Sequence, residues 1–158
     1  MVSRVIPVDP FDLTIFGGTG DLAKRKILPG LFRRHLSGQM PHEAQIIGAA
    51  RSELSDEEYR DIVRTAIAEF GAIDHSDIDV DEFLSRVSYL HVDAKGSAGW
   101  AALKSKMRDG YVRAFYFSVA PALFGDLAER LHEHDIAQRD SRIVVEKPLA
   151  RIWKPRVP

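Results

Sequence analysis

Apolar positions along the chain follow two periods: short continuous runs that suit buried strands, and stretches repeating every three to four residues that suit helices. Leu13, Ile15 and Phe16 form the first run. It breaks into Gly17-Gly18-Thr19-Gly20, after which Ala23, Ile27 and Leu31 recur at helical spacing. Pro29-Gly30 interrupts that helix and predicts a bend or stop before Leu36. Ala44 to Ala50 reads as a second strand ending at Arg51. Ser55-Asp56-Glu57-Glu58 is a capping box, and Tyr59, Ile62, Val63, Ala66, Ile67 and Phe70 follow at helical spacing. That stripe reads as core, without a functional role. Asp74 to Glu82 is acidic and reads as a solvated loop. A calcium loop is excluded there, because Glu82 stands where glycine is needed and Ser88 where glutamate is needed.

Val87 to Val92 predicts a third strand, ending in Asp93, and Ser97 to Met107 a helix presenting Trp100, Leu103 and Met107 on one face. Val112 to Val119, rich in aromatic and branched residues, predicts a fourth strand that runs into Ala120-Pro121. Phe124, Leu127, Ala128 and Leu131 continue as a helix, and Arg142 to Glu146 gives a fifth strand. Strands alternating with helices at this spacing predict an α/β fold: a Rossmann-type doubly wound parallel sheet of about five strands with helices on both faces. One domain, residues 1–149, accounts for this pattern.

The glycine turn carries the chemistry. Gly17 and Gly20, with Ala23 three residues later, give the spacing G-x-x-G-x-x-A between a strand and a helix. Small residues are needed there because the turn is tight, the backbone approaches a pyrophosphate, and the helix packs on the strand. Amides at the start of the new helix then face the anion. Arg51 follows the second strand, where an acidic residue would hold a ribose 2′-hydroxyl and an arginine accepts a 2′-phosphate. Arg51 therefore favours NADP over NAD, with NAD still possible; the alternative is a solvated arginine at a strand end.

Composition adds exclusions. With 45% hydrophobic and 28% charged residues and a net charge of -1, the chain has no general electrostatic pull toward nucleic acid or membrane. The sequence has no cysteine, so disulfide and thiolate chemistry are absent. Met1 to Pro10 lack the apolar stretch of a secretory signal, and a cytoplasmic protein is the expectation. The six histidines include no H-E-x-x-H, and His132 and His134, two apart, read as surface residues; no metal site is expected.

Four separated stretches together resemble one family. Gly17-Gly18-Thr19-Gly20-Asp21-Leu22-Ala23-Lys24-Arg25-Lys26, Gly48-Ala49-Ala50-Arg51, Ser118-Val119-Ala120-Pro121 and Glu146-Lys147-Pro148 are similar to the coenzyme domain of glucose-6-phosphate dehydrogenase. The resemblance covers nearly all of residues 11–149. It implies that Gly17, Gly18, Thr19, Gly20, Asp21 and Leu22 hold the NADP pyrophosphate and that Arg51 with Ser52 engages the 2′-phosphate. It also implies that Asp93 and the Ala120-Pro121 turn lie near the nicotinamide half. Lys147, preceding a cis bond to Pro148, would reach both coenzyme and substrate, and Lys26 would point toward the substrate, glucose 6-phosphate. The implied reaction is hydride transfer from C1 of glucose 6-phosphate to NADP, in the pentose phosphate pathway.

The family's general base, a histidine supported by an aspartate, and its R-I-D-H-Y-x-G-K stretch do not occur in this sequence. The resemblance implies that both would lie beyond Pro158, the last residue. No catalytic residue is therefore expected in the chain, which is expected to be inactive alone, with only part of a substrate site. Residues 150–158 depart from the family pattern, with two prolines, Pro155 and Pro158, and a tryptophan where a polar helix would follow. Back-translation shifted by one base allows the family's residues, which suggests a frameshifted tail on a truncated dehydrogenase; a deliberately shortened chain is the rival explanation. Apolar surface left uncovered by a missing second domain would favour a homo-oligomer. Two other readings compete: a non-catalytic nucleotide-binding or regulatory module, and a short-chain reductase. The second predicts a Tyr-x-x-x-Lys pair, which does not occur.

Overall fold

The computed structural model describes residues 9–71 and 74–145. Glu146, Lys147, the Lys147-Pro148 bond and the tail 150–158, with Pro158 at its end, lie outside them, and so do the expectations of a cis bond, a frameshifted tail and a base placed beyond Pro158. Five parallel strands, β1 (Phe11–Phe16), β2 (Gln45–Ala50), β3 (Val87–His91), β4 (Val112–Phe117) and β5 (Arg142–Val144), form one sheet in the order β3-β2-β1-β4-β5. The chain winds outward from β1 to β3, then crosses to the other side of β1 as β4. The direction of winding reverses there, and the two diverging connections leave a crevice beyond the carboxyl ends of β1 and β4.

Alternate residues of the central strands feed two cores. Leu13, Ile15 and Ile46 pack with Ala23, Phe32 and Val63 on one face. Phe16, Ile47 and Ala49 pack with Trp100, Leu103 and Leu127 on the other. Three helices cover the first face: α1 (Leu28–Leu36), α2 (Asp56–Phe70) and α3 (Asp77–Leu84). The second is covered by α4 (Trp100–Lys106) and α5 (Phe124–Glu133), so the doubly wound arrangement read from the periodicity is the one found. Among the described residues no helix is long and apolar enough to cross a membrane.

Two local expectations need correction. Pro29 does not stop its helix, although the stretch to Leu36 does fall into two pieces. A π-helical turn, Ala23–Ile27, precedes α1 and leaves Pro29 in the first turn of the α-helical part. In an unbroken α-helix the proline ring would press on the carbonyl four residues back; near a segment's start its missing N–H costs little. The acidic stretch is α3 from Asp77 onward, and only its first residues, 74–76, are the expected loop. The Ser76 Oγ accepts from the Asp79 amide while the Asp79 carboxylate accepts from the Ser76 amide, and Val80, Phe83 and Leu84 are buried. The exposed carboxylates occupy the solvent side of a helix whose few apolar residues suffice to dock it. The expected capping box at Ser55 and Glu58 is present, with each side chain accepting from the other's amide.

The outer edge of β3 is closed by α2. Asp56 Oδ1 accepts from the Tyr89 amide at 2.8 Å, and one turn later Arg60 Nε donates to the Val87 carbonyl at 2.9 Å. Two side chains thus substitute for a neighbouring strand, satisfying groups that would otherwise template association. Among the described residues the edge strand β5 has no such cover: Ile143 is 50% and Val144 39% exposed.

Candidate coenzyme site

The site is built at the carboxyl end of β1. Gly17 adopts a φ of +83°, and a Cβ there would meet the Ser118 carbonyl oxygen at 2.1 Å, so only glycine fits between β1 and the exit of β4. The amides of Gly17 and Gly18 both donate to the Ala49 carbonyl, at 2.8 and 3.1 Å, and pin the turn to the end of β2. Gly20 donates to the Gly17 carbonyl at 2.9 Å and closes the loop; the helical backbone begins at Asp21. Gly18 is also constrained, though less than Gly17: its Cβ would fall 2.8 Å from the Tyr59 hydroxyl and 3.0 Å from the Gly48 Cα. Gly20, prominent in the motif spacing, has only one close neighbour, the Gly17 carbonyl at 3.2 Å.

A cavity of about 360 Å³ opens over this turn. It brings together Gly17, Thr19, Gly20, Arg51, Ser52 and Ala120 from the ends of β1, β2 and β4. Its floor is apolar, from Phe16, Val92 and Leu127, with one cation at the rim. Arg51 is exposed and takes no ion-pair partner among the described residues, which leaves its guanidinium available to an anion. A larger cavity, of about 580 Å³, lies at the amino ends of β2 and β3. There Arg86 and Arg108 are spent on backbone carbonyls and on Asp12, and no glycine turn is nearby. The smaller cavity is the one at the reversal of strand order, where open α/β sheets bind ligands.

The other expected residues stand as follows. Gly18 lies beneath the turn, buried. Asp21 is exposed and pairs with Arg25 at 3.0 Å, a surface contact of small energetic weight. Leu22 packs on the first core. Asp93 is engaged in its own loop: its carboxylate accepts from the Lys95 amide at 3.0 Å and its carbonyl from Trp100 Nε1 at 2.9 Å, while its neighbours Val92 and Ala94 line the cavity. Pro121 starts a short 3-10 turn, Pro121–Leu123, beside Ala120, and Leu123 faces the cavity. Lys26 is exposed on the π-helical turn and does not line the cavity. Lys147 falls outside the described residues.

The arrangement is a cradle of small residues backed by an apolar floor, with a free guanidinium some residues away: it suits a dinucleotide with an anionic ribose. Comparison with known proteins settles the family. The model of the family described as "Glucose-6-phosphate dehydrogenase, NAD binding domain" matches residues 14–154. The chain belongs to this family. It is 46% identical to a glucose-6-phosphate 1-dehydrogenase of Rhizobium meliloti over 154 residues, covering 96% of this chain and 31% of that protein. A crystal structure of glucose-6-phosphate 1-dehydrogenase from Mycobacterium avium superposes with a TM-score of 0.80 at 30% identity, covering 89% of this chain and 30% of that one. A glucose-6-phosphate dehydrogenase in complex with its substrate glucose-6-phosphate superposes with a TM-score of 0.73 at 31% identity, covering 89% and 31%. The chain thus spans about a third of the length of these relatives, and what they share with it is the coenzyme-binding, α/β part of a glucose-6-phosphate dehydrogenase.

Two residues in this region were not singled out for function by the sequence. Tyr59 and Tyr89 sit in stretches whose periodicity marks them as core, and both are buried. Tyr59 donates to the Gly18 carbonyl at 2.9 Å, and Tyr89 to the Ser52 carbonyl at 2.6 Å. The available signal was chemical: a tyrosine in a stripe of Ile, Val and Ala brings a hydroxyl that must find a partner.

Proposed function

We propose that this chain is the NADP-binding part of a glucose-6-phosphate dehydrogenase, which oxidises glucose 6-phosphate at C1 to 6-phosphogluconolactone in the pentose phosphate pathway of the cytoplasm. The observation that carries the coenzyme reading is the meeting of the Gly17–Gly20 turn with Arg51 and Ser52 in one cavity. A side chain at Gly17 or Gly18 would collide with backbone or with Tyr59, so the packing that shapes the turn itself demands glycine at both positions. Gly17, Gly18, Thr19, Gly20, Asp21 and Leu22 form the cradle that holds the pyrophosphate: the three glycine amides are used to shape the turn, and the Thr19 amide and the start of the helix face the anion. Arg51 and Ser52 hold the 2′-phosphate, with the planar fork of the guanidinium matched to phosphate oxygens. Asp93, Ala120 and Pro121 flank the nicotinamide end. Lys26 and Lys147 serve the glucose 6-phosphate side.

NADP, when bound, supplies the acceptor for the hydride. The protein's described part orients that acceptor and excludes water with the Phe16, Val92 and Leu127 floor. As hydride leaves C1, the C1 hydroxyl must also lose its proton, so a base is needed. Among the described residues no histidine lines the cavity, so the base comes from outside them, and the described part binds and orients the coenzyme. The exposed β5 residues Ile143 and Val144 form a surface for self-association.

Isothermal titration of the chain with NADP and with NAD, repeated on Arg51→Ala, tests the reading. Saturable NADP binding that weakens about tenfold or more in the variant, with NAD affected little, is the expected result. Equal loss for both nucleotides would reject the role given to Arg51.

A further inference from the structure

Tyr59 and Tyr89 are in ring contact, with centroids 5.0 Å apart, and their hydroxyls reach in different directions. Tyr59 ends on the Gly18 carbonyl, at the turn assigned to the pyrophosphate. Tyr89 ends on the Ser52 carbonyl, in the segment assigned to the 2′-phosphate. Gly48 makes room for the first of these, because a Cβ there would meet the Tyr59 ring at 2.2 to 2.5 Å. A phenylalanine would fill the same volumes. The hydroxyls therefore add the two carbonyl contacts, and both contacts fall on segments that line the same cavity.

The direction of those carbonyls matters. In a trans peptide the C=O and the following N–H point oppositely. A Gly18 carbonyl turned inward to Tyr59 turns the Thr19 amide outward, and that amide has no partner among the described residues. A Ser52 carbonyl turned to Tyr89 likewise turns the Glu53 amide away from Tyr89. We infer that Tyr59 and Tyr89 are positioning residues that aim backbone amides at the bound dinucleotide: Tyr59 at the pyrophosphate shared by NAD and NADP, Tyr89 at the 2′-phosphate segment that distinguishes them. Burial raises the titration range of both hydroxyls, so each stays protonated and able to donate.

This inference rests on the coenzyme reading above. The test is calorimetric titration of the full chain and of Tyr59→Phe and Tyr89→Phe with NADP and with NAD, alongside a melting curve for each. Tyr59→Phe is expected to weaken both nucleotides by a similar factor, about fivefold, leaving their ratio unchanged. Tyr89→Phe is expected to weaken NADP by a similar factor and NAD little, lowering the ratio. A purely structural role would lower the melting temperature or the binding-competent fraction and leave both affinities of the folded protein intact; that result overturns the inference while wild-type binding upholds the coenzyme reading. A folded wild-type chain that binds neither nucleotide overturns both. Should Tyr59→Phe not fold, the NADP-to-NAD ratio of Tyr89→Phe decides alone, an unchanged ratio rejecting the assignment.

Discussion

Gly48 on β2 and Tyr59 on α2 share one volume: a Cβ at Gly48 would lie 2.2 Å from the Tyr59 Cζ and 2.4 Å from its hydroxyl. The tyrosine ring occupies the space over a strand position that carries no side chain. Through that gap it reaches the turn between β1 and the helix, so the packing of α2 and the shape of the glycine turn are one problem.

Gly48→Ala is accordingly expected to destabilise the fold by about 1–3 kcal/mol, the usual cost of overpacking a closed site. Tyr59 is fully buried and hemmed in by Tyr89, so its ring has no free direction in which to yield. Urea denaturation measures the cost; a variant as stable as the parent would show that the ring is not confined.

Asp12 is fully buried at the start of β1 and its charge is answered by Arg108. Arg108 Nη2 and Nε donate to Oδ1 at 2.6 and 2.8 Å, the Arg108 amide donates to Oδ2 at 2.9 Å, and Gln45 Nε2 adds a fourth contact at 2.8 Å. Removing one partner of such a pair leaves a charge stranded away from water. Arg108→Met is expected to cost about 2–4 kcal/mol, a little below the range for fully buried pairs because Arg108 is partly exposed. Arg108→Lys recovers only part of this, since an ammonium lacks the fork. Denaturation midpoints of the two variants check the order.

His35, on α1 between the rings of Phe32 and Phe83, has its pKa lowered from the ordinary 6.5, first by burial and then by the Arg86 guanidinium, against opposing pulls from Glu82 and Asp79. The native state therefore binds fewer protons than the unfolded chain just below that value, and stability falls as the pH drops from above 6.5 through the native pKa. The urea midpoint is expected to be lower near pH 5.5 than near pH 7.5, and His35→Leu to shrink the difference. An equal difference in the variant would place the pH dependence elsewhere.

Ile143 and Val144 lie exposed on β5, which pairs only with β4 among the described residues. An apolar edge of this kind invites strand addition. Ile143→Lys is expected to shift the chain toward monomer at high concentration in sedimentation velocity; no change would remove β5 from the association surface.

The sheet was legible because its central strands β1 and β2 are buried on both faces and read as continuous apolar runs, and the winding followed from the alternation of strands with helices. The glycine turn was legible because the close approach of the Ser118 carbonyl and of Tyr59 restricts which residue types stand there, and Arg51 because it follows directly on β2. The acidic segment misled because α3 is docked by Val80, Phe83 and Leu84 alone, too few to show a period against five carboxylates in its neighbourhood, Asp74, Asp77, Asp79, Asp81 and Glu82. The π-helical turn was hidden because Pro29 announces a disturbance and not its form. Tyr59 and Tyr89 were passed over because an apolar stripe looks the same whether its tyrosine hydroxyl ends on a structural carbonyl or beneath a ligand site.

The central claim is that a dinucleotide binds over the Gly17–Gly20 turn and beside Arg51, and an amide-resolved NMR titration of the chain with NADP tests it most directly. The amides of Gly17, Thr19, Gly20, Arg51 and Ser52 are expected to shift saturably, while those of His42, Glu43 and Arg86 around the larger cavity stay still. Shifts confined to the larger cavity, or none in a folded chain, would contradict it.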